Sequence, residues 1–469
     1  MFIRTILLLL ITFTTLLPQA GGKTFDAEMQ ALLSDSFFTS CFAGIKVHNL
    51  TKGTDIYAHE DKKLMNPASN MKIITSAAGL VYLGPRFAFT TTLGYTGTIE
   101  GDVLKGDLVI VGRCDPDFKI DSLSKIFDVV TAHGIREIKG DIVIDISYKD
   151  SLFWGEGWMW DDDGAVTSPF MSALNVYGNT VKVMITPRAG QKPLVTVYPV
   201  TGYFEIVNEA KTGSYNDLKV WRDYLERTNR IFVRGTVAAT SQTLVYFFNV
   251  WKPELYMATL VKEVLVRNGL KVNGKIREAE GSYQMTQLYE FQHPYSKLIN
   301  QLNKKSDNLY TEMVLLALGS ISRKKNISFN DGKKFLDSLV VRVGRKPGDY
   351  RFADGSGVSR YNVVSADLLT AILNYLYEKN GENFSIFFNS LPIGGVDGTL
   401  AGRMKSGLAY NNVRAKTGSL SGVSSLSGYL KAASGDMISF SILMQNFTGS
   451  AAAARNYQDR ICELIAKYN

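Results

Sequence analysis

The pattern of the chain changes near residue 90 and again near residue 285, and this change constrains the fold more than any other feature. After residue 90, threonine, glycine and alternating apolar residues form strand-like segments that recur to about residue 250. Examples are Ile138–Ile146, Thr180–Thr186 and Ile231–Ala239. No fixed period relates these segments, so they are not structural repeats. The pattern predicts a β-rich insertion in a domain built from the two ends of the chain.

The two ends of the chain have a different pattern, in which strands and helices alternate. The N-terminal part predicts a short helix, two strands and an apolar helix. The C-terminal part predicts three successive strands and a final helix, and two further helical regions lie upstream of them. The predicted helices of the two ends are Asp26–Leu33, the segment around Ser69, Tyr295–Ala317 with an interruption at Lys304–Asn308, and Ser450–Lys467; a further helix, Leu255–Asn268, is predicted near the end of the β-rich segment. The predicted strands of these parts are Phe42–Leu50, Thr54–Tyr57, Asn412–Thr417, Val423–Ala432 and Met437–Gln445.

The N-terminus has the pattern of a secretory signal peptide. Arg4 supplies the positive end, Ile6–Leu17 the apolar core and Pro18–Gly22 a small-residue cleavage region. The core is shorter than a membrane span, no cysteine follows it for a lipid anchor, and no later apolar run reaches membrane-spanning length. We therefore expect residues 1–22 to be removed and the mature protein to be exported. It would be soluble or loosely associated in the periplasm or cell envelope.

The formal net charge is +8, from 52 Lys and Arg residues against 44 Asp and Glu residues. A basic exported protein suits an anionic envelope or wall polymer, although general solubility explains the charge equally well. The lysines are scattered rather than clustered, and no segment resembles a nucleic-acid-binding module. We therefore expect no nucleic-acid partner.

Three cysteines, Cys41, Cys114 and Cys462, exclude a dense disulfide framework. Cys41 begins a predicted strand and Cys462 lies in the final helix. A bridge between these two is possible in an oxidising compartment, but buried free thiols are the favoured state. The four histidines lack the paired spacing typical of metal ligands, so we predict no zinc site.

Ser69 and Lys72 lie three residues apart, where an apolar segment with the pattern of a buried helix begins. On a helix this spacing places both side chains on one face, one turn apart. A serine is a weak nucleophile until a base removes its proton, and a desolvated lysine can be that base. This is the S-x-x-K arrangement of serine acyl-transfer enzymes. The same spacing also occurs in ordinary polar segments, at Ser122 with Lys125 and at Ser322 with Lys325.

Two further segments complete the candidate site. Ser306-Asp307-Asn308 lies at a break between predicted helices, where a serine hydroxyl and an amide can point into a cleft. Alone, this tripeptide is also typical of a capped helix start. Lys416-Thr417-Gly418-Ser419 lies on a predicted strand, where the glycine lets a substrate backbone pass close and the lysine can bind a carboxylate. Alone, this tetrapeptide is also typical of a turn.

The chain contains a second copy of the tetrapeptide, Lys211-Thr212-Gly213-Ser214, upstream of Ser306. The second copy is followed by a polar loop, Tyr215–Asp217, rather than by another strand. Lys416 is followed by a glycine- and serine-containing turn and two apolar strands. We therefore interpret Lys416 as the site residue and Lys211 as a surface residue.

In the order S-x-x-K, S-x-N and K-T-G, the three motifs resemble those of the penicillin-binding proteins and serine β-lactamases. The chain is most similar to the D-alanyl-D-alanine carboxypeptidase/endopeptidase family, the class C low-molecular-mass penicillin-binding proteins. That family has a large insert between its first two motifs, as this chain has between Ser69 and Ser306. The resemblance departs at Gly112–Asp117, where the family usually has a glycine-rich Gly-Asp-Pro stretch. It covers nearly the whole mature chain and includes Gly157–Asp162, Ser172–Leu174, Asp354–Arg360 and Gly394–Leu400.

The resemblance implies a mechanism. Ser69 would attack the carbonyl between two D-alanines at the end of a peptidoglycan stem peptide, and Lys72 would accept its proton. Partial burial and the nearby Lys416 charge are expected to make Lys72 less basic. Ser306 would relay a proton to the leaving amine, and Asn308 would hydrogen-bond the peptide backbone of the substrate.

The resemblance also implies how the substrate is held. Lys416 and Thr417 would bind the terminal carboxylate, and the edge of their strand, which includes Gly418, would pair with the substrate. The backbone N–H groups of Ser69 and Ser419 would form an oxyanion hole. Water would then release the acyl-enzyme, and the mechanism needs no metal or cofactor.

The fold implied by the resemblance is α+β. Residues 23–90 and 286–469 would form a penicillin-binding/β-lactamase-like transpeptidase domain, with an antiparallel sheet flanked by helices. Residues 91–285 would form a large β-rich insert of two subdomains that helps to grip the glycan or stem peptide. The implied partners are peptidoglycan stem peptides, with β-lactam antibiotics as covalent inhibitors.

Two other interpretations use the same motifs. A serine β-lactamase or esterase needs an efficient deacylating base, and no convincing Glu-bearing loop follows Ser69. A non-catalytic envelope-binding protein would keep the fold but lose Ser69 or Lys72, and both are present. The motifs leave open whether carboxypeptidase or endopeptidase activity dominates, and also the oligomeric state.

Overall fold

The structure is a computed structural model that describes residues 24–279, 284–322, 325–379 and 381–468. The predicted signal peptide, residues 1–22, lies outside the described residues. Within the described ranges, no helix combines the length and the apolar character needed to cross a bilayer.

The described residues form ten α-helices. The helix patterns of the sequence correspond to the first, second, fourth, fifth, sixth and tenth of these. The sequence analysis did not predict the third, which lies inside the β-rich segment, or the seventh, eighth and ninth. The helices are α1 (Phe25–Leu33), α2 (Met71–Ala78), α3 (Ile120–Ala132), α4 (Pro253–Arg267), α5 (Tyr295–Lys304), α6 (Asn308–Ser320), α7 (Phe329–Arg342), α8 (Ala366–Lys379), α9 (Gly381–Ser390) and α10 (Ala452–Tyr468).

The strands of the described residues fall into five sheets. All five strands predicted for the two ends of the chain are present, within about two residues of their predicted bounds at most of their ends. The strands are β1 (Phe42–Asn49), β2 (Thr54–His59), β3 (Ala88–Tyr95), β4 (Thr98–Glu100), β5 (Val103–Lys105), β6 (Leu108–Arg113), β7 (Glu137–Ile138), β8 (Ile142–Asp145), β9 (Thr180–Thr186), β10 (Leu194–Tyr198), β11 (Glu205–Asn208), β12 (Lys211–Gly213), β13 (Asp217–Arg222), β14 (Arg230–Ala238), β15 (Leu244–Asn249), β16 (Lys271–Val272), β17 (Ile276–Glu278), β18 (Thr286–Pro294), β19 (Arg414–Leu420), β20 (Val423–Lys431) and β21 (Met437–Gln445).

The central sheet joins the two ends of the chain. Its five antiparallel strands lie in the order β19-β20-β21-β1-β2. Successive residues of β21 point to opposite faces. Ile442 packs in an apolar cluster with residues of α1 and α10, whereas Leu443 packs in a second cluster with residues of α8. Helices therefore cover both faces, and the predicted α+β fold with a flanked antiparallel sheet is confirmed.

The chain from β3 to β18 forms the other four sheets, together with α3 and α4. β3 and β18 are antiparallel neighbours, paired from Ala88 with Pro294 to Tyr95 with Thr286. The chain therefore leaves the N-terminal part and returns to it on adjacent strands. One cluster of buried apolar residues, from Leu93 to Phe291, fills this segment. The proposed limits at residues 91 and 285 fall within or beside this strand pair, and the division into two subdomains stays a prediction.

The three cysteines, Cys41, Cys114 and Cys462, are buried and free. Burial raises the pKa of the Cys41 thiol to about 11 and that of the Cys114 thiol to about 12. Cys41 and Cys462 belong to the same apolar cluster without being bridged. Free thiols are the state that the sequence favoured.

Candidate active site

Ser69 lies on a short 3-10 turn, Ala68–Asn70, directly before α2. From the sequence we expected Ser69 on the helix itself, whereas it lies on the turn that leads directly into the helix. The backbone of the turn is strained, because Ala68 has a φ of +44°. The hydroxyl of Ser425, on β20, donates to the carbonyl of Pro67 at 2.6 Å. This hydrogen bond anchors the turn to the central sheet.

Lys72, in the first turn of α2, is fully buried, and its amine makes three hydrogen bonds. The Nζ atom lies 3.1 Å from Ser69 Oγ, 2.5 Å from Asn308 Oδ1 and 2.7 Å from the carbonyl oxygen of Ser356. Burial lowers the pKa of Lys72 to about 8, and nearby carboxylates, led by that of Asp354, offset part of this effect. Lys72 can therefore exchange a proton with Ser69 near neutral pH.

Two buried carboxyl groups hold the loop that contains Ser356. Glu312, on α6, accepts hydrogen bonds from the N–H groups of Gly355 and Ser356 at 3.1 and 2.8 Å. Asp354 accepts from the indole N–H of Trp158 at 2.8 Å. Burial raises the pKa of Glu312 to about 8, and the adjacent Asp354 acts in the same direction. Glu312 was not predicted as a site residue, although it is the one charged residue in the apolar sequence of α6.

The tripeptide Ser306-Asp307-Asn308 joins α5 to α6. It both caps the start of a helix and lines a cleft, so the two interpretations of its sequence are compatible. The Asp307 carboxylate caps α6 by accepting from the N–H of Tyr310 at 3.2 Å. Ser306 has a φ of +59°, and its side chain lines the cleft described below. Asn308 begins α6, and its Nδ2 donates to the carbonyl of Thr167 in the β-rich segment.

Lys416, on β19, is the second fully buried lysine. Its Nζ donates to Ser306 Oγ at 2.8 Å and to the carbonyl of Thr417 at 2.8 Å. Burial lowers the pKa of Lys416 well below its usual value, and the charge of Lys72 lowers it further. The repulsion between the two amines is mutual, so it disfavours the state in which both lysines are charged. The burial of Lys72 is also complete rather than partial.

Gly418 allows β19 to approach the Ser69 turn. A Cβ atom at this position would lie 2.1 Å from Ser425 Oγ, 2.8 Å from the carbonyl oxygen of Pro67 and 2.9 Å from the N–H nitrogen of Ser69. Any side chain here would push the strand away from the turn. The glycine therefore serves the packing of the protein on itself, in addition to the close substrate approach that the sequence suggested.

Thr417 and Ser419 flank Gly418 on the same strand and line the cleft. The hydroxyl of Thr417 donates to the Thr399 hydroxyl at 2.7 Å. Ser419 accepts a hydrogen bond of 3.4 Å from the guanidinium of Arg455, on α10. These contacts fix both side chains at the rim of β19, which is an edge strand of the central sheet.

A cleft of about 610 Å³ brings the three predicted segments together. Lys72 and Lys416 are buried beneath it, and six predicted residues line it: Ser69, Ser306, Asn308, Thr417, Gly418 and Ser419. The β-rich segment supplies a wall of the cleft through Asp162, Thr167 and Ser168. Thr399, from the Gly394–Leu400 stretch, also lines the cleft, as do Arg403 and Arg455, which were not predicted from the sequence.

The second tetrapeptide copy lies elsewhere. Lys211 is exposed at the start of β12, which pairs with β14 in a sheet of the β-rich segment. The expectation that no strand follows this copy was wrong, because β13 begins at Asp217. Lys211 is not among the described residues that line the cleft.

Comparison with known proteins identifies relatives over almost the whole chain. The model of the D-Ala-D-Ala carboxypeptidase 3 (S13) family matches residues 25–468. A D-alanyl-D-alanine carboxypeptidase from Actinomadura sp. (strain R39) is 30% identical over 473 residues, covering 94% of this chain and 84% of the relative. The crystal structure of penicillin binding protein 4 (dacB) from Haemophilus influenzae is similar with a TM-score of 0.83 and 26% identity, covering 94% of this chain and 99% of that one. The same protein complexed with a β-lactam gives a TM-score of 0.76 and 24% identity over the same shares.

Two glycines test how tightly the Ser69 turn is packed. A Cβ at Gly357, where φ is +86°, would lie 1.8 Å from the carbonyl oxygen of Ala68, whereas a Cβ at Gly348 would meet nothing within 4 Å. We expect Gly357→Ala to lower the free energy of unfolding by about 3 kcal/mol or more, because the loop must move away from the turn. Gly348→Ala should change it by less than about 0.5 kcal/mol. Chemical denaturation of both variants measures the difference, and equal values would contradict this account of the packing.

Proposed function

The chain belongs to the D-Ala-D-Ala carboxypeptidase 3 (S13) family and is a serine-type carboxypeptidase, and we propose that it works through an acyl-enzyme on Ser69. Its substrates would be the D-alanyl-D-alanine ends and the crosslinks of peptidoglycan stem peptides. The observation that carries the proposal is the distance of 3.1 Å between Ser69 Oγ and the buried amine of Lys72. A hydroxyl next to a desolvated amine is the arrangement that nucleophilic acyl transfer requires.

In the first step, neutral Lys72 takes the proton of Ser69 while Oγ attacks the substrate carbonyl. A neutral amine has two N–H groups and one lone pair. Asn308 Oδ1 and the carbonyl of Ser356 accept the two N–H groups, at 2.5 and 2.7 Å. The lone pair is thereby left facing Ser69 Oγ, at 3.1 Å. These two acceptors position Lys72 as the general base.

In the second step, the C–N bond breaks and the leaving nitrogen needs a proton. Ser306 is suited to relay it, because its hydroxyl lies at the cleft surface and 2.8 Å from the amine of Lys416, whose ammonium form replaces the proton that Ser306 gives up. The backbone N–H groups of Ser69 and Ser419 would stabilise the negative charge on the carbonyl oxygen, and one such donor is typically worth about 3 kcal/mol. Water then hydrolyses the ester and restores Ser69.

Lys416 and Thr417 would bind the carboxylate of the leaving residue. The pKa of Lys416 is low in the free site because of burial and the Lys72 charge. A bound carboxylate supplies the opposite charge and favours the ammonium form of Lys416. β19 is an edge strand whose Arg414 end bridges to Ile393, and the edge beyond that bridge can pair with the substrate backbone. Asn308 keeps one N–H group and one lone pair for the same backbone.

Penicillins would acylate the same serine, since their reactive amide can occupy the position of the scissile peptide bond. The other interpretations have less support, because family membership covers residues 25–468 and the candidate nucleophile and base are in contact. The substrate and the signal-peptide pattern of residues 1–22 support an exported protein, soluble or loosely associated in the periplasm or cell envelope.

The covalent step is tested with a labelled penicillin. We expect one labelled tryptic peptide, which contains Ser69, and no label on a Ser69→Ala variant that folds normally by circular dichroism. Hydrolysis of a D-Ala-D-Ala pentapeptide, followed by mass, should disappear in the same variant. Labelling at another peptide, or persistent labelling of Ser69→Ala, would refute the assignment of the nucleophile.

The duplicated tetrapeptide provides a matched test of Lys416. Lys416→Ala should lower the second-order rate of acylation about 30- to 1,000-fold, because charge-assisted hydrogen bonds worth roughly 2–4 kcal/mol are lost. Lys211→Ala should change that rate less than about threefold, since Lys211 is exposed. A chromogenic penicillin measures both rates. Equal effects of the two substitutions would mean that Lys416 does not anchor the substrate.

The pH dependence of acylation tests Lys72. The pKa of about 8 means that the neutral, reactive form of Lys72 becomes rarer as the pH falls below that value. We expect the second-order acylation rate to rise about tenfold per pH unit between pH 6 and pH 7.5 and to level off above about pH 8. Stopped-flow measurement with a penicillin gives this profile. A flat profile between pH 6 and pH 9 would argue against Lys72 as the base.

A further inference from the structure

A second cavity, of about 640 Å³, lies beside the catalytic cleft, and the mechanism above does not use it. The two share four lining residues: Thr167, Lys305, Ser306 and Asn308. The cleft and the cavity are therefore the two sides of the loop between α5 and α6. Ser69 lies on the first side, and residues of the β-rich segment line the second.

The far wall of the cavity includes one end of the solvent face of the sheet β10-β9-β15. Tyr198 of β10 and Phe247 of β15 both pair with Lys182 of β9, so the three side chains lie side by side on one face. Tyr198 is 44% exposed and Phe247 is 54% exposed. The solvent face of a sheet with one buried face is normally polar. Two exposed aromatic rings next to a catalytic cleft therefore indicate a binding surface.

This wall is ordered by internal contacts. The hydroxyl of Tyr177 donates to that of Tyr198 at 3.3 Å, and the two rings meet edge to face with centroids 5.8 Å apart. On the other face of the same sheet, Val181 and Val183 are fully buried in the core. The aromatic side chains are therefore already ordered in the free protein, so a ligand that contacts them binds with little further loss of side-chain conformational entropy.

The loop between the cleft and the cavity provides a positive charge through Lys305. Lys305 is exposed, lines both the cleft and the cavity, and its side chain makes no hydrogen bond or ion pair with any other described residue. Lys119, which also lines the cavity, is paired with Asp117. Lys305 is therefore available to a carboxylate that crosses from the cleft to the cavity.

We infer that this cavity receives the second stem peptide of a crosslinked substrate, the peptide attached to the nitrogen of the bond that is cut. The inference rests on the proposed function. When the bond from Ser69 Oγ to the carbonyl carbon forms and the C–N bond breaks, the carbonyl side stays on the enzyme. The amine side takes its proton from Ser306 and departs on that side, where the cavity begins.

The two substrate types differ in how far they reach. From a monomeric pentapeptide only one D-alanine departs, and this residue fits within the cleft. From a crosslinked dimer a whole peptide departs, and it extends past Ser306 toward Tyr198 and Phe247. Lys305 meets a carboxylate of that peptide at the crossing. The aromatic wall thus favours cleavage of crosslinks over trimming of monomers.

The test compares one variant on two substrates. Phe247→Ala should lower the ratio of kcat/KM for a crosslinked tetrapeptide dimer to kcat/KM for a monomeric pentapeptide about tenfold, because an aromatic contact with the second peptide is lost. Tyr198→Ala, at the other edge of the same sheet, should lower the ratio in the same direction. Tyr215→Ala is the control, since Tyr215 is 61% exposed on β-rich-segment surface and lines neither cavity. Products are identified by mass.

An unchanged ratio in both Phe247→Ala and Tyr198→Ala would overturn the inference while leaving the proposed function intact, because both substrates would still be cleaved. A wild-type protein that trims monomers but never cuts the dimer would also overturn it. A wild-type protein that neither cleaves the two substrates nor binds penicillin would refute the proposed function, and the inference with it. A lowered ratio in both variants and an unchanged ratio in Tyr215→Ala support it.

Discussion

The buried amine of Lys72 is the interaction on which the rest of the site depends. One nitrogen atom contacts Ser69 before α2, Asn308 at the start of α6 and the carbonyl of Ser356. A lysine in this environment is costly to desolvate, and three hydrogen bonds to well-placed partners offset the cost. Glu312 supports the third partner through the backbone of its loop. Burial raises the free energy of the charged form of Lys72, and for the same reason it lowers the pKa of Lys72 to about 8. The desolvation cost and the availability of a neutral amine near neutral pH therefore have one physical origin.

The β-rich segment is joined to this arrangement by polar contacts. The Thr167 carbonyl accepts from the amide of Asn308, which also binds Lys72. Asp163, in the same loop, pairs with the fully buried Arg222 of β13. The segment thereby sets one wall of the cleft and the wall of the neighbouring cavity. Removing the β-rich segment would remove residues that line the cleft, so this segment is part of the site.

The two buried lysines of the site, Lys72 and Lys416, would repel each other if both were charged, and a substrate carboxylate can offset this repulsion. Burial and, to a smaller extent, the charge of Lys72 lower the pKa of Lys416, so the free site avoids two neighbouring ammonium groups. A ligand carboxylate next to Lys416 removes this constraint. In the proposed mechanism Ser306, which contacts Lys416, would then lie between a cation and the leaving nitrogen. Substrate binding and proton delivery would be coupled in this way through one side chain.

The sequence by itself determined the order and setting of the three motifs, the strands and helices that carry them, and the β-rich character of the segment between them. These are properties of neighbouring residues, and local periodicity reports them. Only the tertiary structure decided the full burial of Lys72 and Lys416, the contact of Glu312 with its loop and the aromatic wall beside the cleft. The helices α3, α7, α8 and α9 also escaped prediction. Burial, pKa and cavity shape depend on residues hundreds of positions apart, as the contact of Lys72 with Ser356 illustrates, and a local pattern contains no information about such pairs.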